Sequence, residues 1–140
     1  MAVTTVLVSC VGQKQTTVMK ASELYISPWF MLAKQYCLFH GHQWFILSAR
    51  HGLLDIETNI EPYNLTLKEC NERYQRAWSQ RVVRDIIQRI DITTSLMMFA
   101  GLRYRRFLCP LLMRHGYDIQ VPMRGLGIGR QLQWLKVHGS

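Results

Sequence analysis

Phe45-Ile46-Leu47-Ser48-Ala49-Arg50-His51-Gly52-Leu53-Leu54-Asp55, with Ile60-Glu61-Pro62-Tyr63 close behind, is the stretch on which the fold reading turns. An apolar run of strand type stops at Ser48, and a dense set of polar groups follows: Ser48, Arg50, His51, Asp55, Glu61 and Tyr63. In an open α/β sheet, ligands bind outside the carboxyl ends of the strands. A hydroxyl, a guanidinium, an imidazole and two carboxylates placed there predict a site on the rim of a parallel sheet.

Working outward from this stretch, the remaining chain alternates. Val3–Val8 is β-branched and apolar on both faces, the pattern of a buried parallel strand. Ser27 before Pro28 is an N-cap followed by proline at the first helical position, predicting a helix over Pro28–Phe39 that Gly41 stops. Trp44–Leu47 is the second strand. Thr66 and Glu69 have capping-box spacing. Behind them Tyr74, Trp78, Val82, Ile86 and Ile90 recur at helical period, with Glu72, Arg73, Arg76 and Arg84 between. Leu96–Ala100 is a third strand, closed by Gly101. Tyr104–Arg114 reads as a helix that Pro110 kinks or divides. Tyr117–Val121 is the fourth strand, and a short helix over Arg130–Val137 ends the chain. The order β-α-β-α-β-α-β-α predicts a single α/β domain: a four-stranded, mainly parallel sheet with right-handed crossovers and helices on both faces. Each strand then sends its following loop to one edge. Segments 10–14, 48–63, 101–103 and 124–130 are expected to converge there.

Composition narrows the partners. The chain has 140 residues, 49% of them hydrophobic, enough for one core without metal or disulfide staples. No repeat, linker or low-complexity segment stands out. The start, Met1-Ala2-Val3-Thr4-Thr5, has no basic n-region, and no apolar run approaches the roughly 18 residues of a membrane span. Cys10, Cys37, Cys70 and Cys109 make no C-x-x-C pair and no zinc spacing, so free thiols in a reducing cytoplasm are expected, and neither metal nor cofactor is indicated. The formal net charge is +8. Past residue 100, Arg103, Arg105, Arg106, Arg114, Arg124, Arg130 and Lys136 face the single acid Asp118. An arginine-weighted excess favours a phosphate polyanion, DNA above all; a merely solubilising charge is the plainer alternative.

Several groups carry candidate chemistry. Ser9-Cys10-Val11-Gly12-Gln13-Lys14 puts small residues, a glycine and a lysine after the first strand. Gly12 suits a tight turn facing an anion, though the P-loop pattern is absent. Cys10 is a nucleophile or a buried structural thiol, and Lys14 a phosphate or substrate contact. Tyr25 and Tyr63 are candidates to stack on a base, with core packing as the rival role for Tyr25. Trp29 and Phe30 are expected to pack their helix onto the sheet. His51 titrates near neutrality and is suited to moving protons, beside Arg50. Asp55 and Glu61 share a loop, as paired carboxylates do when they divide work at a glycosidic carbon; capping or pairing with arginines is the alternative. Ser48, Gly101 and Arg103 complete the substrate-facing set. Arg124-Gly125-Leu126-Gly127-Ile128-Gly129-Arg130-Gln131 opens a helix with three alternate glycines. Free amides there, with Arg124, Arg130, Arg105 and Arg106, are candidate phosphate ligands. Close backbone packing is the other reason for Gly127 and Gly129.

At these residues the chain resembles a known group. Ile46–Asp55 with Ile60-Glu61-Pro62-Tyr63-Asn64-Leu65 is similar to the YaaA-like group, in particular to a small bacterial and phage family of unassigned function within it. Leu24–Pro28 and Gly125–Leu132 are similar to that small family as well. The match covers nearly the whole chain on four separated motifs; the wider group shares mainly the Leu-Ser…Gly-Leu-Leu…Glu-Pro-Tyr element. The resemblance implies a DNA-associated protein with a fold similar to uracil-DNA glycosylases. The glycosylase motifs Gly-x-Asp-Pro-Tyr and His-Pro-Ser-Pro are absent, which argues against uracil as the target. The expectation is therefore a DNA glycosylase acting on a modified base, in the setting of defence against phages with hypermodified genomes. Glu61, Asp55 and His51 are its expected catalytic groups. A non-catalytic DNA binder and a nucleoside or nucleotide hydrolase or transferase are the rival readings.

Overall fold

The fold follows from one central strand whose both faces must be covered. The computed structural model of the protein describes residues 3–10 and 14–140. The turn expected at Gly12 lies outside the described residues. Strand β1 (Thr4–Ser9) is buried from Thr5 onward and pairs in parallel on both sides, with β3 (Gln43–Ser48) and β6 (Ser95–Phe99). Val8 sits opposite both Ile46 and Phe99. Strand β7 (Asp118–Gln120) adds in parallel to β6. The main sheet is thus mostly parallel, as the alternating pattern predicts.

It has five strands, not four. Strand β4 (Gly52–Leu54) folds back antiparallel onto β3, pairing Ser48 with Gly52 and Ile46 with Leu54, and gives the order β4-β3-β1-β6-β7. The turn that reverses the chain needs Gly52 at φ 73°, a left-handed backbone only glycine adopts freely. A Cβ there would also meet the Arg81 guanidinium at 3.1 Å. A separate two-stranded ribbon pairs β2 (Met19–Lys20) with β5 (Asn59–Ile60), Met19 opposite Ile60. A single helical turn, α1 (Ala21–Leu24), follows β2.

Helices cover both faces. Helix α2 (Pro28–His40) begins as expected: Ser27 Oγ accepts a hydrogen bond from the Phe30 amide, and Gly41 closes the helix at φ 67°. With α5 (Ile128–His138) it packs on Val6, Val8, Trp44 and Ile46. Trp29 and Phe30 are buried there, fixing the helix to the sheet. The opposite face takes α3 (Glu72–Arg89) and α4 (Leu102–Arg114) on Leu7, Phe45, Leu47 and Met98. Trp78, Val82, Ile86 and Leu108 are each 4% exposed or less. Each such side chain withdrawn from water contributes about 1.5–3 kcal/mol before entropy is counted.

Two local expectations are corrected. Thr66 and Glu69 form no capping box: Leu67–Glu69 is a single 3-10 turn, and the extended backbone of Cys70 interrupts it. Asn71 is the real cap of α3, its Oδ1 accepting from the Tyr74 amide at 2.9 Å. Pro110 does not divide α4, which runs unbroken through it. The ring lies on the exposed side, where a carbonyl left without an amide partner stays open to water. The four cysteines are free thiols. Among the described residues, no helix is long and apolar enough to cross a membrane.

Candidate functional site

At the carboxyl ends of β1, β3 and β6 the core turns polar. Cys10 extends β1, its amide donating to the Leu47 carbonyl at 3.2 Å, and Ser48 ends β3. Tyr63, arriving after Pro62, sets its hydroxyl between them. That oxygen lies 2.7 Å from Ser48 Oγ, 2.7 Å from Tyr25 Oη and 3.1 Å from Cys10 Sγ. A phenol has one proton to give and two lone pairs, so three partners saturate it. Burial, followed by the adjacent Cys10, pushes the ionisation of both tyrosines well above the ordinary phenol range, and they stay neutral.

The cluster is braced from several sides. Ser48 Oγ accepts from the His51 amide at 3.0 Å, and its carbonyl accepts from Trp78 Nε1 at 2.8 Å. Tyr104, in the first turn of α4, reaches the Cys10 carbonyl at 3.4 Å. Lys14 pairs with Tyr25 through an isolated antiparallel bridge, and its ammonium sits 5.1 Å from the Tyr63 ring centre and 5.7 Å from that of Tyr25. The His51 ring meets Tyr63 edge to face at 5.4 Å. Partial burial first, then the cations Arg50 and Arg81, hold the His51 pKa below the usual imidazole value. His51 is therefore mainly neutral at pH 7 and gains its proton only in more acidic solution.

Beside this cluster an open hollow of about 560 Å³ is lined by Lys14, Gln15, Thr16, Pro62, Tyr63 and Asn64. Its size is that of small-molecule sites. Two smaller recesses flank the start of α4. One, of about 270 Å³ and almost wholly apolar, lies among Thr66, Lys68, Leu102, Arg103 and Tyr104. The other, of about 190 Å³, lies among Ala100, Gly101, Arg105, Val121, Gly125 and Gln131.

The structure brings together Cys10, Lys14, Tyr25, Ser48, His51 and Tyr63. Ser9 is buried under them, paired with Leu47. Gly101 borders both α4 recesses, Arg103 one of them and Arg105 the other, with Arg105 Nε donating to the Ala100 carbonyl at 2.9 Å. Arg50 is exposed on the β3–β4 turn, its carbonyl accepting from Arg81 Nη2. Glu61 is exposed immediately before the Pro62–Asn64 wall of the hollow and makes no ion pair among the described residues.

Other expected members lie elsewhere. Tyr25 is fully enclosed, so its ring offers no face to a stacked base; its service is the hydroxyl it shares with Tyr63. Asp55 is carried away from the rim because β4 runs antiparallel to β3 and ends beside Ile46. There its carboxylate caps a turn, accepting from the Glu57 amide at 2.9 Å. Asp55 and Glu61 are thus not a pair at one centre. Arg106 faces outward between α3 and α4. Arg124 and Arg130 are exposed near the start of α5, where Gly127 is the N-cap without a side-chain bond. Nothing lies within 4 Å of a Cβ built on Gly125, Gly127 or Gly129, so close packing does not explain them; only Gly125 has a left-handed φ, of 78°.

Trp78, Arg81 and Tyr104 brace the rim without having been singled out for it. Trp78 reads from the sequence as one of the periodic apolar positions of its helix and Tyr104 as the start of the next; nothing in the sequence marks Arg81 for the rim. Among the described residues, no three His, Cys, Asp or Glu side chains are grouped to hold a metal ion. A search of curated proteins and a search of solved structures find no match to this chain. Residues 5–137 match the model of a family described only as of unknown function, DUF6884, and the chain belongs to that family.

Proposed function

We propose that the protein is a DNA N-glycosylase that removes a modified base and leaves an abasic site, working in the cytoplasm. The observation that carries this reading is the convergence of Lys14 and His51 on Tyr63, beside a hollow large enough to admit a nucleobase, with exposed Glu61 immediately before its Pro62 wall. The resemblance of Ile46–Tyr63 to the YaaA-like group and the charge of +8 support it.

Enzymes that work on a base take it out of the stack. The target nucleotide enters the hollow, and the exposed side of Tyr63 and Pro62 forms its wall. The C1′–N bond breaks as charge builds on the sugar, and Glu61 stabilises that cation and positions a water. The water oxygen bonds to C1′, one of its protons passes to Glu61, and the base leaves as an anion that takes up a proton from solvent. Lys14 faces that departing charge, and neutral His51 gives it a hydrogen bond. Loss of one well-placed electrostatic group typically costs about a hundredfold or more in rate. Glu61→Gln is expected to keep DNA affinity and lose base release by that factor.

The assay is chromatography of released bases after incubation with plain DNA, with phage DNA carrying modified bases and with free nucleosides. Full base release by Glu61→Gln rejects the role of Glu61. The openness of Glu61 to water favours a second reading, a non-catalytic DNA binder, which predicts tight, salt-sensitive binding without product from any substrate.

A further inference from the structure

The charge surplus is concentrated on the two helices that cover one face of the sheet. Helix α3 carries Arg73, Arg76, Arg81, Arg84 and Arg89 against Glu72 and Asp85. Helix α4 carries Arg103, Arg105, Arg106 and Arg114 and no acid. Nine arginines against two acids leave a surplus of seven, within a chain whose formal net charge is +8. The rest of the molecule is close to balance.

The two helices lie side by side on one sheet face. Each precedes a parallel strand that begins at the edge opposite the rim, so both run away from the rim together. Between them is a groove of about 430 Å³, lined by Arg76 and Gln80 from α3 and by Arg106, Phe107, Pro110 and Arg114 from α4. The guanidinium carbons of Arg76 and Arg106 lie 4.2 Å and 4.8 Å from the centre of the Phe107 ring. A guanidinium set against a ring leaves its N–H edge for an acceptor: Glu72 occupies that of Arg76, and that of Arg106 stays largely open. Glu72 takes Arg76 through Nε at 3.2 Å and Nη2 at 2.8 Å, and reaches Arg106 only at 3.9 Å. Arg114 has no ion pair among the described residues.

We propose that this groove is a second nucleic-acid contact, taking the sugar-phosphate backbone of the strand segment that leaves the rim. It rests on the reading of DNA as the partner and adds the path the strand follows. From Arg106 to Arg114 the helix rises about 12 Å, three to four steps of a strand that advances about 3.4 Å per base. A row of cations repeating along a groove matches a regularly repeating anion. An acidic peptide would need side-chain anchor pockets as well, and the α3–α4 groove has a single aromatic ring, already covered by guanidinium groups.

The test compares the wild type with Arg76→Gln/Arg106→Gln/Arg114→Gln and with the matching triple lysine variant. Labelled oligonucleotides of about 20 and about 5 nucleotides serve as probes, the shorter fitting within one small binding site. On the long probe the glutamine triple is expected to flatten the plot of log affinity against log salt by about two to three, close to one per phosphate released. The short probe occupies the rim or the groove but not both, so on it the glutamine triple is expected to flatten the plot less than on the long probe, and the lysine triple is expected to keep the wild-type slope on both. Should the glutamine triple fail to fold, Arg114→Gln alone carries the test, with a flattening of about one. An unchanged slope on the long probe overturns the groove and leaves the DNA reading standing. No binding of either probe by the wild type overturns both. Arginine-dependent binding of polyglutamate in preference to DNA overturns the groove in favour of an acidic protein partner.

Discussion

The two faces of the sheet solve different problems. Under α2 and α5 lie ionisable groups that are kept neutral: Tyr25, Tyr63 and Cys37 are buried, and burial is the first cause of the raised pKa in each. Over α3 and α4 lie permanent charges that stay in water. The first face is vulnerable to pH and nearly indifferent to salt. The second also buries neutral phenols, Tyr104 and Tyr117, whose pKa is raised by burial, but adds a response to salt, since exposed charges are screened within about 10 Å at 0.1 M salt. A buried neutral phenol and an exposed guanidinium are both polar in composition, yet only the second carries a charge into water.

The largest expected effect breaks the second face from inside. Trp78 is 3% exposed and ties α3 to β3 through the Ser48 carbonyl. Trp78→Ala is expected to cost about 3–5 kcal/mol, read as a lower denaturation midpoint in urea. It also frees the carbonyl that holds Ser48, so the His51–Tyr63 contact should loosen in the same variant. A loss below about 1 kcal/mol would show that the two are not coupled.

The next sharpens the contrast through pH. Cys37 is 1% exposed, and burial pushes its thiol up from 9.0 to about 12. The folded pKa is raised, so the neutral thiol's contribution is complete below about pH 9 and is lost as pH climbs from there toward about 12. At about 1.4 kcal/mol per unit this amounts to no more than about 4 kcal/mol. Urea midpoints measured across that window should fall, and fall less in Cys37→Ala. Alkylation of Cys37 at pH 8 as fast as a free thiol would contradict the assignment.

The smallest concerns the hydroxyl cluster. Tyr63→Phe keeps the ring and removes the oxygen shared by Ser48, Tyr25 and Cys10. Ser48 Oγ keeps the His51 amide while Tyr25 loses the hydroxyl it pairs with, and weakening that buried polar cluster costs about 1–3 kcal/mol. The loss should be the same at low and high salt, whereas the arginine variants should change salt response with little change in melting temperature. A salt-dependent loss in Tyr63→Phe would erase the distinction between the faces.

These contrasts also mark what a sequence discloses. β1 is legible as a β-branched run, β3 and β6 as short apolar runs, α2 from its Ser27-Pro28 start and Gly41 stop, and α3 from helical periodicity, because each of those elements buries a continuous face. Strand β4 was hidden: Gly52-Leu53-Leu54 is too short for a period and differs from a loop only by its partner, β3. That one omission misplaced Asp55, which reads as a rim carboxylate until the antiparallel return carries it off. Tyr25 stands in a connecting segment, where a ring turned inward and one turned outward leave the same trace. Thr66 and Glu69 had the correct spacing for a cap, but the extended Cys70 behind them breaks the turn. The meeting of Lys14, His51 and Tyr63 is a property of the strand ends, and only the predicted convergence of those loops pointed to it.

The outer borders of the main sheet have a separate consequence. Strands β4 and β7 are each three residues long, so the lateral rungs left for another chain are few. Concentrated solutions should consequently resist fibril growth by lateral strand addition.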